Sequence, residues 1–134
     1  MWKKLETFFN NLDQKHTAER YYEICEQLGK EVDPEKIPPE WGDFPESVQQ
    51  AVNIYHSLGD RIAADIGFLG KDYTLLPTLL EIEEVSDLDF TIEIILWLET
   101  RTVNKSNEEM KKAHEKIKKQ SKASKGPVKG VPKA

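Results

Sequence analysis

The chain has 134 residues, of which 38% are hydrophobic and 32% charged, a size that suits one domain and excludes a large enzyme with a separate substrate domain. It contains no run of eighteen apolar residues and no signal-peptide-like start, which predicts a cytoplasmic protein without a membrane span. The net charge of −5 is unevenly distributed: residues 1–104 carry 9 basic and 21 acidic side chains (net −12), whereas residues 105–134 carry 10 lysines and 3 acids (net +7). We therefore expect the acidic body and the basic tail to contact different partners.

Two short amphipathic helices are predicted at the start of the chain. Apolar residues recur at helical spacing over residues 2–12 and again after Thr17, whose hydroxyl can cap the second helix before Gly29 ends it. Cys25 lies on the apolar side of that helix, where a small core residue is expected rather than a nucleophile. As the single cysteine of the chain, it excludes an internal disulfide.

Residues 30–46 contain four prolines and predict a connector, which Trp41 and Phe44 pin onto the core. Asp43 and Glu46 have capping-box spacing at the start of a third helix. Its predicted apolar face consists of Val48, Ala51, Val52, Tyr55 and Leu58. This helix either stops at Gly59 or continues to Ile66.

The segment from Gly67 to Asp72 predicts a glycine-containing turn. It is not a phosphate-binding loop, because Asp65 and Asp72 stand where the Walker pattern requires glycine and Ser or Thr. His56 and Asp60 have the i, i+4 spacing of a metal-ligand pair, but a metal site needs further ligands, so an exposed polar pair is expected. No metal or cofactor is predicted.

A fourth helix is capped by Asp72 or Thr74, and a fifth, residues 86–103, starts at Ser86 and is the most apolar segment of the chain. We assign one arc of the fifth helix to the core: Leu88, Ile92, Ile95, Leu96, Leu98 and Val103. Phe90, Ile94 and Trp97 form a second stripe, which is either the other side of the core or a partner-binding surface. Glu99 is expected to be either partly buried or paired with Arg61 or Arg101, and a structural ion pair is favoured over a catalytic acid.

After an interruption at Asn104–Asn107, a lysine-rich helix follows. The predicted organisation is an acidic helical domain (1–104), a basic helical arm (105–120) and a disordered basic tail (121–134). The predicted fold class is all-α: a small single-domain bundle of about five helices with an exposed lysine-rich C-terminal helix. No Ser, Cys or Thr lies near a His in a context that predicts a nucleophile and its base, so we expect no enzyme.

Residues 44–117 resemble the small tail assembly chaperones of tailed bacteriophages. The resemblance rests on the order of segments: Pro45 before a helix with Tyr55-His56-Ser57-Leu58, then Arg61, the glycine loop 67–70, the helix Leu-Leu-Pro-Thr-Leu-Leu at 75–80, and Leu-Trp-Leu-Glu at 96–99. The chain departs from the pattern at Glu99, where an Asp is common, and in its N-terminal helices.

The resemblance implies a non-enzymatic protein of the host cytoplasm that binds the long hydrophobic tape measure protein while tail tube protein assembles around it. A client of this kind suits an apolar groove in an acidic body. The residues expected to form the groove are Trp41, Tyr55, Phe90, Ile94 and Trp97. Self-association is a further open alternative.

Two other functions remain open. The first is a DNA-packaging accessory, similar to a small terminase subunit, in which residues 105–134 bind phosphates. The acidic body disfavours nucleic acid, and no helix carries Arg or Asn at base-reading positions. The second is a structural subunit of the virion.

Overall fold

The computed structural model describes residues 1–128, with side chains described through Lys122. Within that range the chain is mostly helical (68%) and contains five α-helices and one two-stranded hairpin. The elements are α1 (Trp2–Asp13), α2 (Ala18–Leu28), two 3₁₀ turns (Pro34–Lys36 and Trp41–Asp43), α3 (Glu46–Ser57), β1 (Asp60–Ala63), β2 (Gly67–Lys71), α4 (Leu76–Ile82) and α5 (Leu88–Val128). The helical fold class predicted from the sequence is confirmed, and the hairpin is an addition to it.

The chain forms two compact units, residues 1–49 and residue 50 onward, with the boundary inside α3. The predicted division between residues 104 and 105 lies within α5 and does not coincide with this boundary. None of the helices over residues 1–128 combines the length and apolarity needed to cross a membrane.

In the first unit, local capping interactions fix the ends of α2 as predicted. The Thr17 hydroxyl accepts a hydrogen bond from the Arg20 N–H at 3.2 Å, and Gly29 ends the helix in the left-handed conformation with φ of 65°. Glycine adopts this conformation without the steric cost of a Cβ atom. Cys25 is buried, which confirms its assignment to the core.

The connector is held to α1 by aromatic contacts. The Phe8 ring lies 5.9 Å from the Trp41 ring and 5.4 Å from the Phe44 ring, centroid to centroid. The Gln49 side-chain amide donates hydrogen bonds to the carbonyls of Trp41 and Phe44 at 3.2 and 2.9 Å. Asp43 accepts the Glu40 N–H at 2.9 Å and thus closes the second 3₁₀ turn. The predicted anchoring of the connector by Trp41 and Phe44 is confirmed.

All five apolar positions predicted for the inner face of α3 are buried: Val48, Ala51, Val52, Tyr55 and Leu58. The helix ends at Ser57, near the predicted stop at Gly59, and does not continue to Ile66. Residues 60–71 instead form the antiparallel hairpin of β1 and β2. The glycine loop predicted at 67–72 is therefore largely the second strand of a hairpin.

The hairpin contains a β-bulge on β2. Arg61 pairs with Gly70 and Ile62 pairs with Phe68, so Leu69 is the extra residue. Gly67 and Gly70 have φ values of 93° and 119°, which confirms that these glycines supply conformations that other residues rarely adopt.

The start and the continuity of α5 both differ from the sequence prediction. The Asp87 carboxylate accepts the Phe90 N–H at 3.1 Å, so the capping residue is Asp87 rather than Ser86. The interruption predicted at Asn104–Asn107 is absent, because α5 is continuous from Leu88 to Val128. The disordered tail predicted for residues 121–134 overlaps the end of α5, and residues 129–134 lie outside the described part of the chain.

The buried row of α5 lies between the two stripes that the sequence suggested. It consists of Thr91, Ile94, Ile95 and Leu98, at the i, i+3, i+4, i+7 spacing of one helix face. Leu88 and Leu96, which we had assigned to the core, are 54% and 55% exposed. The prediction was wrong for these two leucines because the buried face is centred on Thr91 and Leu98; Leu88 falls at its edge, and Leu96 lies on the solvent side of the helix.

Gly70→Ala tests the packing of the hairpin on α5. A Cβ atom at Gly70 would lie 2.5 Å from Glu99 Oε1, and the positive φ would be strained as well. We expect the free energy of unfolding, measured by urea denaturation, to fall by about 1–3 kcal/mol. Gly59→Ala is the control, because a Cβ atom there meets nothing within 4 Å. Equal stability of the Gly70→Ala variant and the wild type would show that β2 does not approach α5 this closely.

Candidate functional site

A carboxylate on α5 holds the edge of the hairpin. Glu99 Oε1 accepts the backbone N–H of Lys71 at 2.7 Å, and Glu99 Oε2 is buried without a hydrogen-bond partner. Gly70, which has no side chain, allows the carboxylate to approach β2. Glu99 is partly buried, which is one of the two alternatives that the sequence offered, and it accepts a hydrogen bond from the Lys71 backbone. A hydrogen bond to a charged acceptor is among the stronger ones in proteins.

The Lys71 side chain extends from the same residue into the interior. Its ammonium nitrogen donates to the Leu58 carbonyl at 3.1 Å and to the Asp60 carboxylate at 2.6 Å, and it lies 5.0 Å from the centroid of the Tyr55 ring. Two acceptors and an aromatic face compensate for the burial of the charge. Lys71 therefore joins the end of α3 to both strands.

A second contact, made by a hydroxyl group, holds β2 further along α5. Ser106 Oγ accepts the Phe68 N–H at 3.1 Å. A Cβ atom on Gly67 would lie 2.8 Å from Ser106 Oγ and 3.1 Å from Met110 Cγ, so glycine is required for this approach. Glu99 and Ser106, which are seven residues apart on α5, thus each accept a hydrogen bond from an N–H group of β2.

Tyr55 lies beside the Lys71 ammonium group. The residue is buried, and its hydroxyl oxygen has no hydrogen-bond partner. Burial raises the pKa of Tyr55, and the charges of Glu99 and Asp60 raise this pKa further, whereas the neighbouring Thr102 hydroxyl lowers it. Thr102 donates its own proton to the Leu98 carbonyl at 2.8 Å.

A shallow cavity of about 380 Å³ opens between α3, the hairpin and α5. Its lining includes Tyr55, His56, Lys71, Thr102, Lys105 and Ser106. Partial burial lowers the pKa of His56, the Lys71 ammonium lowers this pKa further, and Asp60 acts in the opposite direction. The hydrogen bonds described for this cluster hold elements of the fold together, and a structural role accounts for each of them.

The five residues that we predicted to bind a partner differ in burial. Ile94 and Tyr55 belong to the core. Phe90 and Trp97 are half-buried on one flank of the buried row of α5, and Trp41 is half-buried in the first unit. The use of these residues as a binding site stays a prediction, with Phe90 and Trp97 as the two members on α5 that retain exposed surface.

The opposite flank of the buried row carries an exposed surface that we had not assigned to a partner. We call it the acidic strip: Leu88, Asp89, Ile92, Glu93 and Leu96. Its two leucines and two carboxylates are exposed, and Ile92 is half-buried. The signal in the sequence is the i, i+4, i+8 spacing of the apolar residues beside two acids. We missed it because the same spacing is typical of core positions.

The far end of α5 forms a basic arm, residues 105–122. Its seven lysines are all exposed, and every side chain from Lys111 to Lys122 is exposed as well. Ile117, a large apolar residue of this segment, is 62% exposed. One helix therefore carries an acidic apolar surface at its start and a basic one toward its end.

Over residues 1–128 no three His, Cys, Asp or Glu side chains converge as a metal ion would require. No protein-family model, curated protein or solved structure matches the chain. The functional interpretation therefore rests on the geometry described above and on the resemblance noted in the sequence.

Glu99→Ala removes the acceptor of the Lys71 N–H. An amide left without a partner in a partly buried position costs about 1–3 kcal/mol, and we expect the free energy of unfolding in urea to fall by that amount. Glu99→Gln is the matched comparison, because its side-chain carbonyl can still accept the bond and the loss should be smaller. If both variants unfold at the wild-type urea concentration, the carboxylate does not hold the hairpin.

The lowered pKa of His56 predicts a stability that depends on pH. Folding favours the neutral imidazole, so this stabilisation is fully present above the unfolded pKa of about 6.5 and is lost as pH falls toward the folded pKa. We expect the wild type to lose more stability between about pH 7.5 and about pH 5.5 than His56→Gln does. The measurement is urea denaturation of both proteins at several pH values across this range. If the free energy of unfolding of the two proteins depended on pH in the same way, the lowered pKa of His56 would be contradicted.

Proposed function

We propose that this chain is a non-enzymatic binding protein that keeps a hydrophobic helical client soluble, and specifically a tail assembly chaperone for a phage tape measure protein. The client's identity comes from the resemblance of residues 44–117 to that family. The observation that carries the proposal is the acidic strip, which leaves two leucines more than half exposed in the most apolar segment of the chain, residues 86–103.

The arrangement of α5 supports binding of a helix along its first three turns. The fully buried row fixes the orientation of the helix, and apolar side chains on both flanks, Phe90 and Trp97 on one and Leu88 and Leu96 on the other, retain exposed surface. A client helix that packs along one of these flanks can bury its apolar surface. The exposed Asp89 and Glu93 keep the free protein soluble and exclude acidic clients by repulsion.

Burial of Ile94 and Tyr55 gives these two residues a supporting role in the proposal. Both lie in the core, so in the proposal they stabilise the fold and do not themselves contact the client. Trp41 lies in the first unit and contacts Phe8. The client surface proposed on α5 does not include it.

Coexpression with a tape measure fragment tests the proposal. The wild-type chain should raise the soluble share of the fragment, and Leu88→Ser with Leu96→Ser should abolish the effect while leaving the fold intact, because both leucines are mostly exposed. Ile62→Ser is the matched control, since Ile62 is 71% exposed but lies on the hairpin. An unchanged yield of soluble fragment with the wild-type chain would reject the chaperone function.

Trp97→Ala separates the two interpretations of the aromatic flank. A variant that folds, judged by circular dichroism and urea denaturation, but no longer holds the fragment assigns Trp97 to the client surface. A variant that loses its fold assigns Trp97 to the core and leaves the serine variants to test the client surface.

The seven exposed lysines of the basic arm favour DNA binding as the second candidate function. Binding of duplex DNA would release counterions and weaken steeply with salt, by about 0.9 in log affinity per log salt for each phosphate contacted. The net charge of −12 on residues 1–104 opposes DNA binding, because it repels the phosphates. Titration of labelled duplex at low and at physiological salt distinguishes the candidates, because the chaperone proposal predicts no binding at physiological salt.

A further inference from the structure

The basic arm lacks intramolecular packing along much of its length. From Lys111 to Lys122 every side chain is exposed, and Ile117 leaves 62% of its surface in solvent. A helical segment of this length has little stability in water unless one face packs against something. The arm therefore has the features of a surface that another molecule covers.

The two ends of α5 are complementary in charge and alike in apolar character. Residues 88–99 carry three carboxylates and no basic side chain, whereas residues 105–122 carry seven lysines and three acids. Each segment also exposes large aliphatic side chains, Leu88 and Leu96 at the start and Ile117 in the arm. Apolar contact surrounded by opposite charges is the pattern of a specific helix–helix interface.

We propose that the basic arm of one copy of this chain packs against the acidic strip of a second copy. Ile117 contacts the strip leucines, and Lys118 and Lys122, which lie on the same side of the arm, face Asp89 and Glu93. Because each copy has one arm and one strip, two copies related by a twofold axis make the contact twice and form a closed dimer. The proposal concerns the chain alone and does not depend on the identity of a client.

The proposed dimer contact needs more than the positive charge of the basic arm. It needs the complementary charge of the acidic strip and apolar contact between the two surfaces. An arm that bound any polyanion would need only its lysines, whereas this pairing also uses Ile117 and the strip leucines. The association should therefore weaken with added salt, through screening of the charges, and also weaken when Ile117 is replaced by Ser at constant charge.

A charge-swap experiment tests the contact. The strip variant carries Asp89→Lys and Glu93→Lys, and the arm variant carries Lys118→Glu and Lys122→Glu. All four residues are exposed. Each variant alone opposes like charges, so sedimentation equilibrium should show at least about tenfold weaker dimerisation than the wild type. An equimolar mixture opposes unlike charges at both contacts and should form a one-to-one heterodimer.

The mixture also reports on folding, since a heterodimer of the expected mass requires that both variants are folded. If circular dichroism shows that the strip variant is unfolded, Glu93→Lys alone replaces it, because Glu93 lies beyond the first turn of α5. Ile62→Ser is the control for a general effect of exposed apolar surface and should dimerise like the wild type. A monomeric wild-type chain, variants that dimerise as well as the wild type, or a mixture that stays monomeric would each overturn the proposal.

Discussion

The hydrogen bond from the Lys71 N–H to the Glu99 carboxylate is the contact on which the second unit depends. A two-stranded hairpin is only marginally stable by itself, and this one is held on α5 by Glu99 near one end of β2 and by Ser106 near the other. The Lys71 side chain continues the connection to the Leu58 carbonyl at the end of α3. A single strand residue thus links α5 through its backbone to α3 through its side chain.

This arrangement determines which surfaces of α5 remain for other molecules. Thr91, Ile94, Ile95 and Leu98 point into the core, and β2 covers the helix from Glu99 to Met110. The surfaces left over are the acidic strip and the flank of Phe90 and Trp97 before this region, and the exposed part of the basic arm from Lys111 to Lys122 after it. A client helix and a second copy of the chain are the two proposed occupants, and the apolar residues of the strip take part in both proposals. Self-association would then compete with client binding at the same leucines.

Local sequence signals predicted the parts of the fold that depend on neighbouring residues. The cap at Thr17, the stop at Gly29 and the buried face of α3 follow from hydrogen bonding and periodicity over a few residues. The hairpin did not follow, because residues 60–66 continue the helical periodicity of α3 and the stabilising partner of Lys71 is 28 residues away in the chain. The break expected at Asn104–Asn107 was also wrong, since Ser106 uses its hydroxyl to bind Phe68 while its backbone stays helical. Intrinsic helix propensity is weaker than such tertiary contacts.

Amide hydrogen exchange of the wild-type chain, followed by nuclear magnetic resonance, tests most directly whether the hairpin is held on α5. The Lys71 and Phe68 amides have no helical hydrogen bond to protect them and depend on Glu99 and Ser106. We predict that both amides exchange nearly as slowly as those of Ile94 and Ile95 in the core of α5, since opening them requires the unit to unfold. Exchange at the rate of an unstructured peptide, while the α5 amides stay protected, would contradict the account.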